Sequence, residues 1–338
     1  MRTGSTRVRT LGAAVALAVL GGCANGSGGP AALSTIAAAQ PAVSPAQATA
    51  PRGVVTRIGS AVRATVIDEQ TRTLVLLVDS PARLLLLDLD DLSAPARTVD
   101  LPGAAAQVER AGDGGSVLVA LPNAVLRVDT ATASTARLPV DGDVRAVLQL
   151  PDGGVAAGLS DGSVQVLAAD GTTQRVAGLA GVDELLTAGR TMLAVDRRQT
   201  AVSVVDLGAG KLGEALRAGE GATNAVSDRF GRALVTDTTG GELLAFSTGP
   251  LMLRQRYPVP GAPYALAYDP ATDVVWVTLT ATNEVVGYDV RGGEPQERYR
   301  FPTVTQPDSV AVDSSTGAVL VGSAGGDGVQ RIVPGAAS

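Results

Sequence analysis

Histidine is absent from all 338 residues. That removes Ser-His-Asp and Cys-His catalysis, imidazole metal sites and imidazole general bases. There is one cysteine, Cys23, so no intrachain disulfide and no cysteine metal cluster can form. Lys211 is the one lysine among 27 basic residues, leaving a single weak candidate for Schiff-base chemistry. Aromatic residues make up only 3% of the chain. Positive charge is also scarce: the formal net charge is −6, which argues against a nucleic-acid partner, since such partners need clustered cations. Beyond residue 22 no apolar run reaches the ~18 residues of a membrane-spanning helix. No phosphate-binding loop and no nucleophile motif is present.

What is there begins with a graded N-terminus. Arg2, Arg7 and Arg9 form a basic patch, and Leu11 to Leu20 is an apolar run of ten residues, too short to remain as a spanning helix. Leu20-Gly21-Gly22-Cys23 follows directly. This order resembles the lipobox of bacterial lipoproteins. The resemblance implies cleavage before Cys23, acylation of its thiol, and export to the extracytoplasmic side of a membrane. Residues 1–22 are then a signal peptide, and their removal takes the basic count from 27 to 24 against 33 acids, a mature charge of about −9. So acidic a chain has little electrostatic attraction to anionic lipid, so attachment would rest on the acyl chains. Residues 24–51 are mostly Ala, Gly, Ser, Pro and Gln, with no charged residue. Lacking apolar periodicity, residues 23–51 read as the lipidated cysteine and a flexible tether.

From residue 52 to 335 a unit of about forty residues recurs, the period of propellers. Strands ending near Asp88, Asp129, Asp170, Asp206, Ser247 and Asp289 are spaced by 41, 41, 36, 41 and 42 residues. A polar turn recurs in step, at Asp68, Asp113, Asp152, Asp228, Asp269 and Asp313. The segments between are short, Val- and Leu-rich and bounded by turn residues, as β-strands are. Seven units start near residues 61, 105, 144, 182, 222, 262 and 305, and the last lacks a fourth strand. The reading is an all-β propeller, of seven blades of four antiparallel strands with six or eight as alternatives, closed by an N-terminal strand at residues 53–58.

Residues 275–290, VWVTLTATNEVVGYDV, and their lead-in PYALAYDPATDVVWV resemble the YVTN (Tyr-Val-Thr-Asn) β-propeller repeat. The final unit, residues 307–333, is the next best match. In the first five units the pattern survives only as hydrophobic spacing. No Gly-His or Trp-Asp pair of the WD40 type occurs.

Loops between second and third strands fall on one end of a propeller, near the channel mouth. They carry Asp79, Asn123, Asp161, Asp196, Asp237, Asn283 and Asp327, a possible ring of oxygen ligands for Ca²⁺ or for a polar ligand. Against this, each sits at a turn where Asp or Asn caps backbone amides, and that reading has the greater weight. Arg197 and Arg198 are a possible anion contact, or a solvated loop. Trp276, the one tryptophan, lies mid-strand and reads as packing between blades.

The sequence therefore points to a membrane-anchored, non-enzymatic binding scaffold. It would be a monomer without a resident cofactor, facing an extracytoplasmic protein or small ligand. The alternative is a Ca²⁺-dependent hydrolase similar to the lactonases built on propellers, with channel-mouth carboxylates as its site. A quinoprotein-type subunit follows from fold analogy alone.

Overall fold

The computed structural model describes Met1, residues 33–112 and residues 114–335. Residues 2–32, which include most of the expected signal peptide and Cys23, and the turn residue Asp113 lie outside the described residues. Contacts separate residues 1–33 from residues 34–338, and the second of these units carries every strand found among the described residues. Among the described residues no helix is long and apolar enough to cross a membrane.

The chain opens with a short strand β1 (Val54–Thr56). The first sheet then follows in sequence order: β2 (Val62–Asp68), β3 (Thr73–Asp79), β4 (Ala82–Asp88) and β5 (Arg97–Asp100). Next come β6 (Gln107–Arg110), β7 (Ser116–Asp129), β8 (Thr135–Gln149), β9 (Val155–Leu159), β10 (Ser163–Leu167) and β11 (Thr173–Ala177), hydrogen-bonded as one six-stranded sheet. Four-stranded sheets follow: β12 (Glu184–Ala188) to β15 (Lys211–Arg217), β16 (Ala222–Ser227) to β19 (Met252–Pro258), and β20 (Pro263–Asp269) to β23 (Gln296–Pro302). In the last, β24 (Pro307–Asp313), β25 (Ala318–Ser323) and β26 (Val329–Ile332) are completed by β1, which pairs antiparallel with β26 from Val54–Arg331 to Thr56–Val329. A strand from before the first sheet thus completes the last one, and β26 is covered by β1.

The count of seven separate four-stranded blades is corrected to six sheets. The cause is local. β7 and β8 run 14 and 15 residues without interruption, about twice the length of their counterparts. β7 pairs with β6 through residues 117–120 and with β8 through residues 124–128. β8 pairs with β7 through residues 135–139 and with β9 from residue 144 onward. The second and third sequence units therefore share one sheet instead of forming two.

Burial explains the composition of each strand. β3, β21 (Val274–Leu279) and β25 are buried along nearly their whole length because a sheet packs on either face, so they carry Val and Leu without alternation. The outermost strands β15 and β23 are mostly exposed and hold Lys211, Glu214, Glu297, Arg298 and Arg300. Apolar clusters span neighbouring sheets: Leu234 and Leu243 meet Val275 and Val277, and Leu74 and Leu76 meet Leu320 and Val329 across the closure. Trp276 is 2% exposed and packs between sheets with Val310 and Val319, while stacking on Tyr299 at 5.3 Å.

Candidate functional site: the channel and the strapped end

Of the seven loop residues of the expected ligand ring, the five aspartates are engaged by neighbouring groups. Asp196 is fully buried, and its carboxylate accepts from the amides of Ala180 (2.7 Å), Gly181 (3.1 Å), Arg198 (2.9 Å) and Gln199 (2.9 Å). Asp237, also fully buried, accepts from Glu220, Gly221 and Gly240 at 2.8–2.9 Å. Asp327 accepts from the Thr305 amide at 2.8 Å and its hydroxyl at 2.6 Å. Asp161 pairs with Arg175 at 2.5 Å and caps Ser163, and Asp79 pairs with Arg63. Asn123 and Asn283 occupy left-handed backbone positions at φ 59° and 54°, which asparagine tolerates. The five aspartates are engaged by nearby amides, hydroxyls or guanidinium groups, whereas Asn283 Oδ1 is buried without a hydrogen-bond partner. Among the described residues no group of three or more His, Cys, Asp or Glu is placed to hold a metal ion.

The same economy explains the recurrent Asp of the sequence. Asp88, Asp129, Asp170 and Asp206 accept from amides two or three residues ahead, as Asx turns do. The first-turn acids do more. Asp68 accepts from Gln70, Thr71, the Gly115 amide and Thr130, joining its sheet to the next. Burial alone would raise the carboxyl of Asp313, but the Arg72 guanidinium at 2.8 Å, with Ser315 and Thr316, holds it well below the usual range.

Residues 34–51, expected as a free tether, run extended over the loop end of the propeller from Ile36 onward. The Ile36 amide donates to the Arg198 carbonyl at 2.8 Å, and the Arg197 guanidinium donates to the Ala39 carbonyl. Farther on, the Ala42 amide donates to Thr280 Oγ1 (3.0 Å), and Ser44 Oγ donates to the Thr280 carbonyl (2.8 Å). Gln306 is the keystone: its Oε1 accepts from the Ser44 amide at 3.1 Å and its Nε2 donates to the Ala42 carbonyl at 2.9 Å. Asn283 Nδ2 donates to the Pro45 carbonyl at 2.9 Å, and Gln47 Nε2 to the Thr303 carbonyl at 2.9 Å. The strap therefore links the sheets of β12–β15, β20–β23 and β24–β26. Of the expected anion contact, Arg197 is committed to this strap. Arg198 is exposed and reaches the Ser160 carbonyl at 3.2 Å.

Sequence reasoning expected a channel but missed the residues of its wall. Its wall is formed by the first strands, β2, β6, β12, β16, β20 and β24, around a cavity of about 380 Å³. A second cavity of about 680 Å³ continues to the mouth opposite the strap, where Leu150, Pro151, Leu186, Tyr268 and Pro270 line it. Glu109 and Glu184 face both. Gln107 spans from the Val147 amide (2.8 Å to its Oε1) to Glu184 (2.8 Å from its Nε2). Burial pushes the Glu109 carboxyl up to about 7, with Arg110 opposing. Burial first, then the charge of Glu109, push Glu184 to about 8 against the pull of Arg197. Burial also raises Asp308, on the same wall, to about 6. These carboxyls sit inside strands with no motif around them. The one available signal was acidic residues at otherwise apolar strand positions.

The fold and its channel define a β-propeller protein. No protein-family model matches the chain, and no curated protein sequence matches it. Solved structures do share its fold. Hydrazine synthase of Kuenenia stuttgartiensis superposes with a TM-score of 0.70 at 14% identity, covering 86% of this chain and 99% of that one. A streptogramin B lyase gives 0.68 at 13% identity over 83% and 96%. A chain of the mitotic checkpoint complex gives 0.71 at 11% identity over 89% and 97%. Enzymes and an assembly component thus share one architecture, and the likeness is one of fold.

Proposed function

We propose that this chain is an exported propeller, anchored through lipid on Cys23, that works by binding an extracytoplasmic protein or small ligand and not by catalysis. The observation that carries the reading is the engagement of the loop-end oxygens. Asp196 and Asp237, buried at the best-placed loops, already accept four and three backbone amides. A Ca²⁺ site would need six to eight converging oxygens, and withdrawing these would strand the amides they serve at about 1–3 kcal/mol each. This weighs against the lactonase-like alternative, which draws on the same carboxylates. What the molecule offers instead is a rigid disc and a channel whose wall combines carboxyls with an apolar mouth, the composition of a ligand surface. Calorimetric titration of Ca²⁺ into the chain lacking residues 1–33, strap retained, is expected to give no binding heat. Stoichiometric binding abolished by Asp196→Asn would overturn the non-enzymatic reading.

A further inference from the structure

We infer that the strap converts the Cys23 tether into a short leash, holding the strapped end of the propeller toward the lipid surface and leaving the other channel mouth outward. This rests on the proposed acylation of Cys23. The argument is one of length and attachment. Without the strap, about thirty flexible residues would separate Cys23 from β1, a root-mean-square reach of about 30 Å at ~5–6 Å × √n. With Ile36 bound to Arg198 at 2.8 Å, the tether expected from sequence shortens to residues 24–35, and as a flexible chain its reach falls to about 20 Å. Six-residue strands such as β22 (Glu284–Asp289) are about 20 Å long at ~3.3 Å per residue, so the two ends of the disc differ in height by about the whole leash.

The strap is built to bear this. Its polar contacts fall on Arg197, Thr280, Asn283 and Gln306, in three different sheets, so a pull at Ile36 is shared and does not act on β1 alone. At the point where the leash meets the ring, Arg198 is exposed and holds the Ser160 carbonyl at 3.2 Å, so this corner of the loop end carries a cation. The mouth with Leu150, Pro151, Tyr268 and Pro270 then points away from the membrane, where an extracytoplasmic partner arrives.

The test uses the native lipidated chain, reconstituted on phosphatidylcholine–phosphatidylglycerol vesicles carrying an acceptor dye in the headgroups. Single donor labels are placed at Ala281→Cys, on the strapped end, and at Gly293→Cys, on the turn at the other end of β22, where a side chain meets nothing within 4 Å. Energy transfer is expected to be several-fold stronger from position 281. In the Arg197→Ala, Gln306→Ala double variant, which frees the strap, that difference is expected to shrink toward equality. A chain that floats with vesicles but transfers equally from both labels overturns the orientation alone. Native protein that fails to float, as Cys23→Ala is expected to fail, overturns the anchor and the orientation with it.

Discussion

Gly287 shows how single residues hold this ring. A Cβ there would lie 3.0 Å from the Trp276 ring, which packs against β22 and stacks on Tyr299. Gly287→Ala is expected to cost about 1–3 kcal/mol, as overpacking does, and to shift the emission of the one tryptophan. An unchanged spectrum and melting temperature would show that the wall gives way freely. At the loop end, Gly219 has φ +76°, and a side chain on it would collide with Asp237, whose carboxylate organises three amides. Asp237→Asn keeps the shape but cannot accept as well from three donors. A loss of about 1–3 kcal/mol in urea unfolding is expected, and an undiminished midpoint would contradict the capping role. The Asp and Asn of the loops were legible as turn-formers because turn chemistry is local. Glu109 and Glu184 were not legible, because nothing near them in sequence says which face of a strand looks into a channel.

Among the elements, the strap departs most from what the sequence suggests. Residues 34–51 have no charge and no apolar period, so nothing in them predicts a docked conformation. Their hydrogen bonds run largely through main-chain groups, which any sequence possesses, to receptors as distant as Arg197 and Gln306. Deleting residues 34–47 is expected to lower the melting temperature by several degrees while leaving the β1–β26 pairing intact. Protease nicking before residue 48 in the Gln306→Ala variant, at rates well above wild type, is the companion readout. Equal rates would mean that Gln306 does not hold the strap. The merging of units two and three was hidden for a related reason: forty-residue spacing continues through β7 and β8, and only hydrogen bonding reveals that they belong to one sheet. The closure by Val54–Thr56 was legible, since the last unit lacks a strand and the first is preceded by one.

For the whole molecule, the channel carboxyls give stability a pH dependence. Glu109 and Glu184 rise from an ordinary 4.5 to about 7 and about 8 in the folded chain. Between about pH 4.5 and 8 the folded state therefore binds more protons than the unfolded state, so stability falls as pH rises. The depressed Asp68 and Asp313 act on the other side, losing their contribution only as pH drops below the ordinary carboxylate range. The melting temperature is expected to decrease by a few degrees from pH 5 to pH 9, and Glu184→Gln to flatten that slope. A melting temperature that rises over this interval would contradict the account of the channel.

The central claim is that this propeller is tethered by lipid at Cys23. Intact-mass spectrometry of the chain extracted from membranes tests it most directly. The account predicts a mature species beginning at Cys23 and carrying the added mass of acyl chains, lost in Cys23→Ala. A mature species that begins elsewhere, or an unmodified Cys23 thiol on membrane-extracted protein, would contradict it.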